Sequence, residues 1–255
     1  MGEYNEYRKS WIGKEPTGAK QKRAAKIFQI LEKHNPHSKT ALHFKTPMQL
    51  LVAVILSAQS TDKKVNEITD GHLFKKYKTA PDFARANPKV FEKEISQLGL
   101  YRSKAKAILT SAKTIVREFD GKLPRTMESM LTLRGVARKT ANIVLWNAYG
   151  VISGIAVDTH ARRLAQRLGL TENDDPNKIE RDLISLVPNK KLWPKVNTLL
   201  VDLGRSTCVA KNPRCGICPL RGFCPSSRVR VLVSPVRSLG EGGYRPKPAL
   251  QRVPA

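Results

Sequence analysis

Four cysteines lie close together near the end of the chain, and no cysteine occurs elsewhere in it. They are Cys208, Cys215, Cys218 and Cys224, with intervening runs of six, two and five residues. In a reducing compartment such a group indicates a metal site more than a pair of disulfides. Four thiolates can hold a tetrahedral zinc ion or a [4Fe–4S] cluster, and the presence of four close cysteines alone does not distinguish between these two groups.

Lys139 lies near the start of a predicted helix, where its amine could act as a nucleophile. The positive end of the helix macrodipole, the charge of the neighbouring Arg138 and partial burial against the apolar helix face all disfavour the ammonium form. The neutral amine is the form that attacks carbon. The alternative is a solvated surface charge, which is the usual role of a lysine.

Asp158 comes nineteen residues after Lys139 and directly before a predicted helix that starts at Thr159. Asp is a preferred N-cap, so a structural role is the simplest interpretation. A capping carboxylate at the edge of a cleft can also stabilise positive charge or carry protons, so the two roles are compatible. His160 either orients Asp158 or fills a core position, and we favour the core position.

The charge of the chain indicates the class of its partner. The 255 residues include 46 Lys and Arg against 21 Asp and Glu, a formal net charge of +25. A polyanion neutralises such an excess, and a phosphate backbone is the commonest one. No stretch approaches the ~20 apolar residues that a membrane-spanning helix needs. We expect an intracellular monomer that binds nucleic acid and no membrane, with a cationic protein of unrelated role as the alternative.

The elements that position these residues are predicted to be helices. The predicted helices start at Thr46-Pro47, with Gln49 completing a capping box, at Asn87-Pro88, at Ser103 and at Asp175-Pro176. The second of them is expected to end at Gly99. Because alternating β-branched strands with tight Asn-Gly turns are absent, the fold class is all-α. Residues 1–20 and 229–255 show no periodicity and are expected to be flexible basic tails.

A glycine-containing hairpin joins a short predicted helix over residues 126–130 to a longer one that contains Lys139 and ends before Gly150. The hairpin, residues 133–141, reads LRGVARKTA. Its glycine allows backbone N–H groups to approach a phosphate closely, and the second helix directs its positive end at the same anion. Such contacts position a protein on DNA without reading sequence. An ordinary helix connection with a glycine turn is the alternative.

Five segments in one order resemble the endonuclease III family of the helix-hairpin-helix DNA glycosylase superfamily. The hairpin with Lys139 is similar to the family's helix-hairpin-helix motif, VDTH at residues 157–160 to its aspartate segment, and the six-two-five cysteine spacing to its cluster loop. LSAQSTD at residues 56–62 and LGLYRSK at residues 98–104 are similar to two further segments. The resemblance covers residues 21–228.

The resemblance implies a base excision repair enzyme with DNA glycosylase and AP lyase activities. Lys139 would attack C1′ of the damaged nucleotide, expel the base as an imine forms, and permit β-elimination of the 3′ phosphate, with Asp158 contributing to catalysis. The implied substrates are oxidised pyrimidines and abasic sites in double-stranded DNA. The implied cofactor is a [4Fe–4S] cluster. The expected location is cytoplasmic, at the bacterial nucleoid, or nuclear or mitochondrial in a eukaryote.

The resemblance also implies which residues contact DNA. Gln59 and Leu100 match segments that fill the gap left by a base rotated out of the duplex, and Asp62 is expected to order the first of these loops. The remaining expected DNA contacts lie in the hairpin (Leu133, Gly135, Val136, Ala137 and Arg138) and in the cluster loop (Lys211 and Arg214). The alternatives are a polar helix end for Gln59 and a core position for Leu100.

The chain departs from the family pattern at three places. Arg134 stands where the hairpin commonly has proline, and Ala137 stands where it has a second glycine. A Cβ at Ala137 is expected to penalise a positive φ and to narrow the approach to phosphate. The segment between Lys139 and Asp158 is one residue longer, near residues 151–154.

Two helical lobes are expected. Residues 41–152 would form the lobe with the hairpin, residues 21–40 and 153–228 the lobe with the cluster loop, and Lys139 and Asp158 would face the cleft between them. Two other functions stay open. One is an adenine-type monofunctional DNA glycosylase, which shares the fold but lacks the nucleophilic lysine. The other is a non-catalytic iron–sulfur DNA-binding protein, which has no use for Lys139 and Asp158 together.

Overall fold

The computed structural model describes residues 15–229, and its regular elements are all helical. No strand occurs within this range, so the all-α prediction is confirmed. The α-helices are α1 (Thr17–His34), α2 (Pro47–Leu56), α3 (Asp62–Ile68), α4 (Phe74–Lys76), α5 (Ala80–Arg85), α6 (Pro88–Glu94), α7 (Tyr101–Glu118), α8 (Met127–Leu131), α9 (Arg138–Tyr149), α10 (Thr159–Arg167), α11 (Pro176–Leu186) and α12 (Trp193–Ser206). A π-helical turn, Thr69–Leu73, joins α3 to α4.

Helix α2 is the centre of the first lobe. Its sequence PMQLLVAVIL is apolar nearly all round, and every residue from Met48 to Leu56 is buried. It packs against α7 and α9, while α5 and α6 cover the other side of α7. Each large apolar side chain buried in this way stabilises the fold by about 1.5–3 kcal/mol.

The start of α2 differs in detail from the predicted capping box. Thr46 accepts a hydrogen bond from the backbone N–H of Gln49 at 3.2 Å, as expected. The Gln49 side chain, however, accepts from the backbone N–H of Lys45 at 2.9 Å instead of from Thr46. The reciprocal bond therefore lies one residue before the cap and orders the chain that leads into the helix.

The boundaries of α6 and α7 differ from the prediction. Helix α6 ends at Glu94, before the expected end at Gly99, because residues 95–100 form turns that bury Ile95 and Leu98. Helix α7 begins at Tyr101, two residues before Ser103, directly after Leu100 in a left-handed conformation.

The second lobe is built from α1, α10, α11 and α12. The apolar stripe of α1, with Ala24, Ile27 and Phe28 fully buried, packs against α11 and α12. The predicted boundary of the first tail at residue 20 is wrong, because α1 already starts at Thr17. An ion pair of 2.8 Å between Glu15 and Arg23 holds the start of this helix. Residues 1–14 and 230–255 of the two predicted tails lie outside the described residues.

Two separate hydrophobic clusters define the two lobes. The buried residues of the first cluster fall between Leu42 and Leu145. Those of the second come from α1 and from the chain between Ile155 and Leu220. Helix α9 of the first lobe meets α12 of the second, and this junction frames the space between the lobes. None of the helices in residues 15–229 is long and apolar enough to cross a membrane.

Candidate active site and cluster loop

Lys139 is the second residue of α9, as the hairpin pattern predicts. The helix begins at Arg138 after the N-cap Ala137 and ends at Tyr149, and the C-cap Gly150 has a φ of 67°, the left-handed conformation that glycine adopts most easily. The Lys139 side chain is half-buried. Within residues 15–229, no hydrogen bond or ion pair engages its Nζ. Among these residues, no carboxylate lies within ion-pair distance of the amine at the leading end of α9.

Asp158 is the N-cap of α10, and its predicted structural role is confirmed. Its Oδ1 accepts a hydrogen bond of 2.7 Å from the backbone N–H of Ala161. The residue is half-buried, and no described donor contacts its other oxygen, Oδ2. One oxygen thus serves the helix, and the second remains available to a ligand.

Lys139 and Asp158 line the same cavity, which lies between the two lobes and has a volume of about 130 Å³. One face of α9 forms a wall, because Lys139, Asn142, Ile143, Trp146 and Asn147 recur at helical spacing. Helix α12 supplies a second wall, and the rest of the lining comes from residues 39–42, the ends of α2 and α3, and the segment with Gly154, Ala156 and Asp158. The structure therefore brings the two predicted catalytic residues, which belong to different helices or caps, to one cavity that opens to solvent.

A buried carboxylate, Glu180 of α11, fixes α9 against the second lobe. Its oxygens accept hydrogen bonds of 2.8 and 3.0 Å from the Arg138 guanidinium and one of 2.9 Å from the Asn142 amide. The bond to Glu180 raises the pKa of Arg138. Because Glu180 neutralises Arg138, the repulsion between Arg138 and Lys139 is weaker than the sequence indicates.

The segment between α9 and α10 passes close to Glu180. An added Cβ at Gly154 would collide with Glu180 Oε1 and would lie 3.1 Å from the Asn142 amide. Glycine at this position therefore lets the chain pass directly over the carboxylate. A second contact between the lobes joins Arg205 of α12 to Asp62 of α3 at 2.9 Å, so Asp62, which directly follows the loop of Gln59, is tied to the second lobe.

His160 packs inside the second lobe and makes no hydrogen bond to Asp158 among the described residues. Its Nδ1 lies 3.2 Å from Nη2 of Arg163. Burial lowers the pKa of His160, which favours the neutral ring. These contacts favour the core position over the alternative in which His160 orients Asp158.

The hairpin presents its backbone, while its apolar side chains point inward. Leu133 and Val136 are 2% and 7% exposed, so their side chains do not reach DNA. Gly135 has a φ of 78°, and an added Cβ would lie 2.8 Å from Cβ of Ala107. The expectation of strain at Ala137 is wrong, because its φ of −98° is extended backbone that any residue adopts. Arg138 directs its guanidinium at Glu180, which leaves its backbone N–H for an anion.

The two loops expected to enter the duplex lie side by side. Gln59 and Leu100 are both exposed, and both adopt left-handed backbone with φ of 52° and 58°. An added Cβ on Gly99 would lie 3.5 Å from the Gln59 carbonyl, so the loops touch through their backbones. Leu100 is 56% exposed, which contradicts the alternative of a core position.

All four cysteines line one cavity beside α10 and α12. None of the four forms a disulfide, and burial raises the pKa of Cys218 and raises the pKa of Cys224 to about 12. Arg167 Nη1 lies 3.3 Å from Sγ of Cys208. Within residues 15–229, no three His, Cys, Asp or Glu side chains are arranged to hold a single metal ion.

The cluster loop has the donors that a [4Fe–4S] cluster requires. Four sulfur donors around one cavity match such a cluster, whose iron atoms compensate the thiolate charge that burial disfavours. Lys211 and Arg214 are exposed on this loop, as expected of residues that face phosphates.

The comparisons with known proteins agree with this arrangement. Residues 52–189 match the model of the HhH-GPD superfamily base excision DNA repair proteins, and residues 208–224 match the iron–sulfur binding domain of endonuclease III. Endonuclease III of Synechocystis sp. is 47% identical over 210 residues, which cover 82% of this chain and 95% of the relative. Endonuclease III of Escherichia coli is 36% identical over 198 residues, which cover 78% and 92%.

Solved structures show the same likeness. A non-covalent endonuclease III–DNA complex has a TM-score of 0.77 and 35% identity, covering 81% of this chain and 96% of that chain. A trapped covalent endonuclease III–DNA intermediate has the same TM-score, identity and coverage. The chain therefore belongs to the endonuclease III family, the iron–sulfur helix-hairpin-helix enzymes of base excision repair that combine DNA glycosylase and AP lyase activities.

Proposed function

We propose that Lys139 is the nucleophile of this enzyme. A proton leaves the ammonium, and Nζ attacks C1′ of the damaged nucleotide as the bond between C1′ and the base breaks. The base departs with the bonding electron pair and takes up a proton. The sugar ring opens as C1′ and Nζ form an imine. Removal of a C2′ proton then expels the 3′ phosphate, and water releases Lys139 from the product.

Asp158 is proposed to act on the same sugar. Its Oδ1 is used by the helix cap, so Oδ2 is the oxygen that would face the reacting atoms. A carboxylate there stabilises the positive charge that develops on the sugar as the base departs. It is also placed to carry protons between the base, the amine and the ring oxygen. The observation that carries this proposal is the inter-lobe cavity, which both side chains line.

Duplex DNA containing an oxidised pyrimidine or an abasic site is the proposed substrate. The N–H groups at the start of α9 would hold a phosphate, and Gln59 and Leu100 would fill the gap left by the extruded nucleotide. A [4Fe–4S] cluster on the four cysteines would hold the loop that presents Lys211 and Arg214 to the backbone. We propose that the protein works as a monomer at the DNA of its cell, the nucleoid in a bacterium.

Borohydride trapping tests the proposed chemistry. A duplex with one thymine glycol, and a second duplex with one abasic site, are incubated with the purified holoprotein and borohydride. Reduction of the imine is expected to give a covalent protein–DNA adduct of reduced mobility. Lys139→Gln is expected to lose the adduct and the strand cleavage because glutamine has no nucleophilic amine.

The matched control is Lys113→Gln, which changes an exposed lysine of α7. It is expected to trap as the unmodified protein does. Adduct formation by Lys139→Gln would assign the nucleophile to another residue, and base release without any adduct from the unmodified protein would instead favour a monofunctional glycosylase.

A further inference from the structure

A buried lysine in the first lobe has no part in the proposed chemistry. Lys104, on the first turns of α7, is only 4% exposed, and no carboxylate among the described residues pairs with it. Charged groups are almost never this buried without a partner that compensates their lost hydration. Burial lowers the pKa of Lys104. The contacts of its ammonium group therefore explain why a lysine is present.

The Lys104 ammonium joins two stretches of chain that are distant in sequence. It donates a hydrogen bond of 2.8 Å to the carbonyl of Leu56, the last residue of α2, and one of 3.0 Å to the hydroxyl of Ser60. The first bond satisfies a carbonyl at the negative end of α2. The second fixes the residue that directly follows Gln59.

The helix that carries Lys104 begins at the second loop. The backbone N–H of Lys104 donates a hydrogen bond of 3.0 Å to the carbonyl of Leu100, which is the first intrahelical bond of α7 and does not depend on the type of side chain. One residue is thus bonded through its side chain to the loop of Gln59 and through its main chain to Leu100. We name these two exposed residues the wedge pair. Both members adopt left-handed backbone, which is strained for a non-glycine residue and persists only where the surroundings hold it.

We propose that Lys104 is a positioning residue that couples the wedge pair, so that Gln59 and Leu100 enter the duplex as one rigid unit. The inference rests on the proposed function of the wedge pair, and it adds a residue that touches neither DNA nor the reacting atoms. Without the ammonium, the Gln59 loop is expected to lose its fixed distance from Leu100, and extrusion of the nucleotide becomes the impaired step.

Fluorescence of 2-aminopurine tests the coupling without any chemistry. The probe base is placed opposite a tetrahydrofuran abasic analogue in a duplex, where insertion of the wedge pair changes its stacking. Lys104→Met keeps the length of the side chain and removes the charge and the donors. Lys104→Met loses two hydrogen bonds to a charged group. We therefore expect a fluorescence response that is about ten- to hundredfold weaker at a given protein concentration, the factor that the loss of such bonds typically gives in an equilibrium constant.

A single-stranded abasic oligonucleotide separates positioning from a general loss of structure, because it has no gap to fill. AP lyase activity of Lys104→Met on this strand is expected to stay within about threefold of the unmodified protein, while cleavage of the abasic duplex falls about ten- to hundredfold. Equal losses on the two substrates, or an unchanged fluorescence response, would overturn the proposal.

Two further variants complete the test. Lys106→Met changes an exposed lysine of the same helix and is expected to match the unmodified protein in all assays. Ser60→Ala removes one acceptor of the Lys104 ammonium and is expected to give a smaller loss of activity, confined to duplex DNA. This variant tests the proposal if Lys104→Met does not fold. A fluorescence response by a protein that borohydride does not trap would refute the proposed chemistry alone, whereas trapping without any response would refute the wedge pair.

Discussion

At the scale of single residues, Asp158 combines a structural and a proposed chemical role in one carboxylate. Oδ1 accepts the bond from Ala161 that starts α10, and the residue also lines the cavity that contains Lys139. The two roles respond differently to substitution, because a helix cap requires an acceptor and the proposed charge stabilisation requires a negative charge. A pair of variants can therefore separate them.

Asp158→Asn is expected to keep the fold and lose activity. Asn caps helices about as well as Asp, so the free energy of unfolding should change by less than ~0.5 kcal/mol. Single-turnover base release should fall by about a hundredfold or more, because the amide has no charge to place near the sugar. Urea unfolding and rapid-quench assays measure the two effects.

Asp158→Ala is the comparison, since it removes the cap and the charge together. It is expected to lose activity to the same extent and, in addition, about 0.5–2 kcal/mol of stability. Normal base release by Asp158→Asn would show that Asp158 is a cap only.

The residues that the sequence analysis missed have a common signal. Lys104 interrupts the apolar stripe of α7 formed by Ile108, Ala112 and Ile115, and Glu180 lies on the buried face of α11. A charged residue on a face that must be buried requires a partner. The sequence does not identify these partners, because they come from segments that are distant along the chain. The partners of Lys104 are Leu56 and Ser60, and those of Glu180 are Arg138 and Asn142.

At the scale of elements, the hairpin depends on a close approach between its turn and α7. Gly135 has positive φ, and it faces Ala107 with no room for a side chain. The turn is therefore held against α7, and the direction of α9, with Lys139 in its first turn, follows from that contact.

Gly135→Ala is expected to destabilise the protein and weaken DNA binding. The left-handed backbone costs alanine about 1–2 kcal/mol, and the clash with Ala107 adds about 1–3 kcal/mol. Denaturant unfolding and binding to an abasic-analogue duplex measure the two effects. Gly150→Ala is the matched control, because Gly150 also has positive φ but has no atom within 4 Å of an added Cβ.

Gly150→Ala should therefore show only the backbone cost and bind DNA normally. Equal destabilisation by the two variants would mean that the hairpin turn can move away from Ala107 at no cost in free energy.

Helix starts were more predictable than the turns between helices. The caps Thr46, Asp158 and Asp175 bond to the N–H groups that the sequence pattern indicates. The turn before α7 was missed because Leu100 adopts left-handed backbone with no glycine to signal it. At Ala137, the family pattern of a second glycine predicted a positive φ, but the chain passes through this position in extended form.

At the scale of the whole molecule, the two lobes are joined on both sides of the cavity by charged side chains. Glu180 binds Arg138 and Asn142 on one side, and Asp62 binds Arg205 on the other. Of these, Glu180 is the most buried, with a side chain that is 4% exposed. The position of Lys139 relative to Asp158 therefore depends on a carboxylate outside the cavity lining.

Glu180→Gln is expected to loosen the junction of the lobes. Loss of the charge-assisted bonds to Arg138 should lower the free energy of unfolding by about 1–3 kcal/mol, and base release should slow because α9 can shift relative to α10. Thermal unfolding and single-turnover assays provide the measurements. Glu172→Gln, at an exposed position just before α11, is the control and should change stability by less than about 0.5 kcal/mol.

If Glu180→Gln and Glu172→Gln had the same stability and activity, water would replace Glu180 as the partner of the half-exposed Arg138 at no cost in stability. The junction of the lobes would then not depend on the ion pair between Arg138 and Glu180.

The position of α1 has a consequence for how the protein emerges from the ribosome. This helix precedes the whole first lobe in sequence, yet its buried face packs against α11 and α12, which are synthesised after that lobe. The first lobe can thus collapse during translation, while the exposed apolar stripe of α1 has to wait for the last helices. Nascent chains arrested before residue 176 should consequently present Ile27 and Phe28 to chaperones.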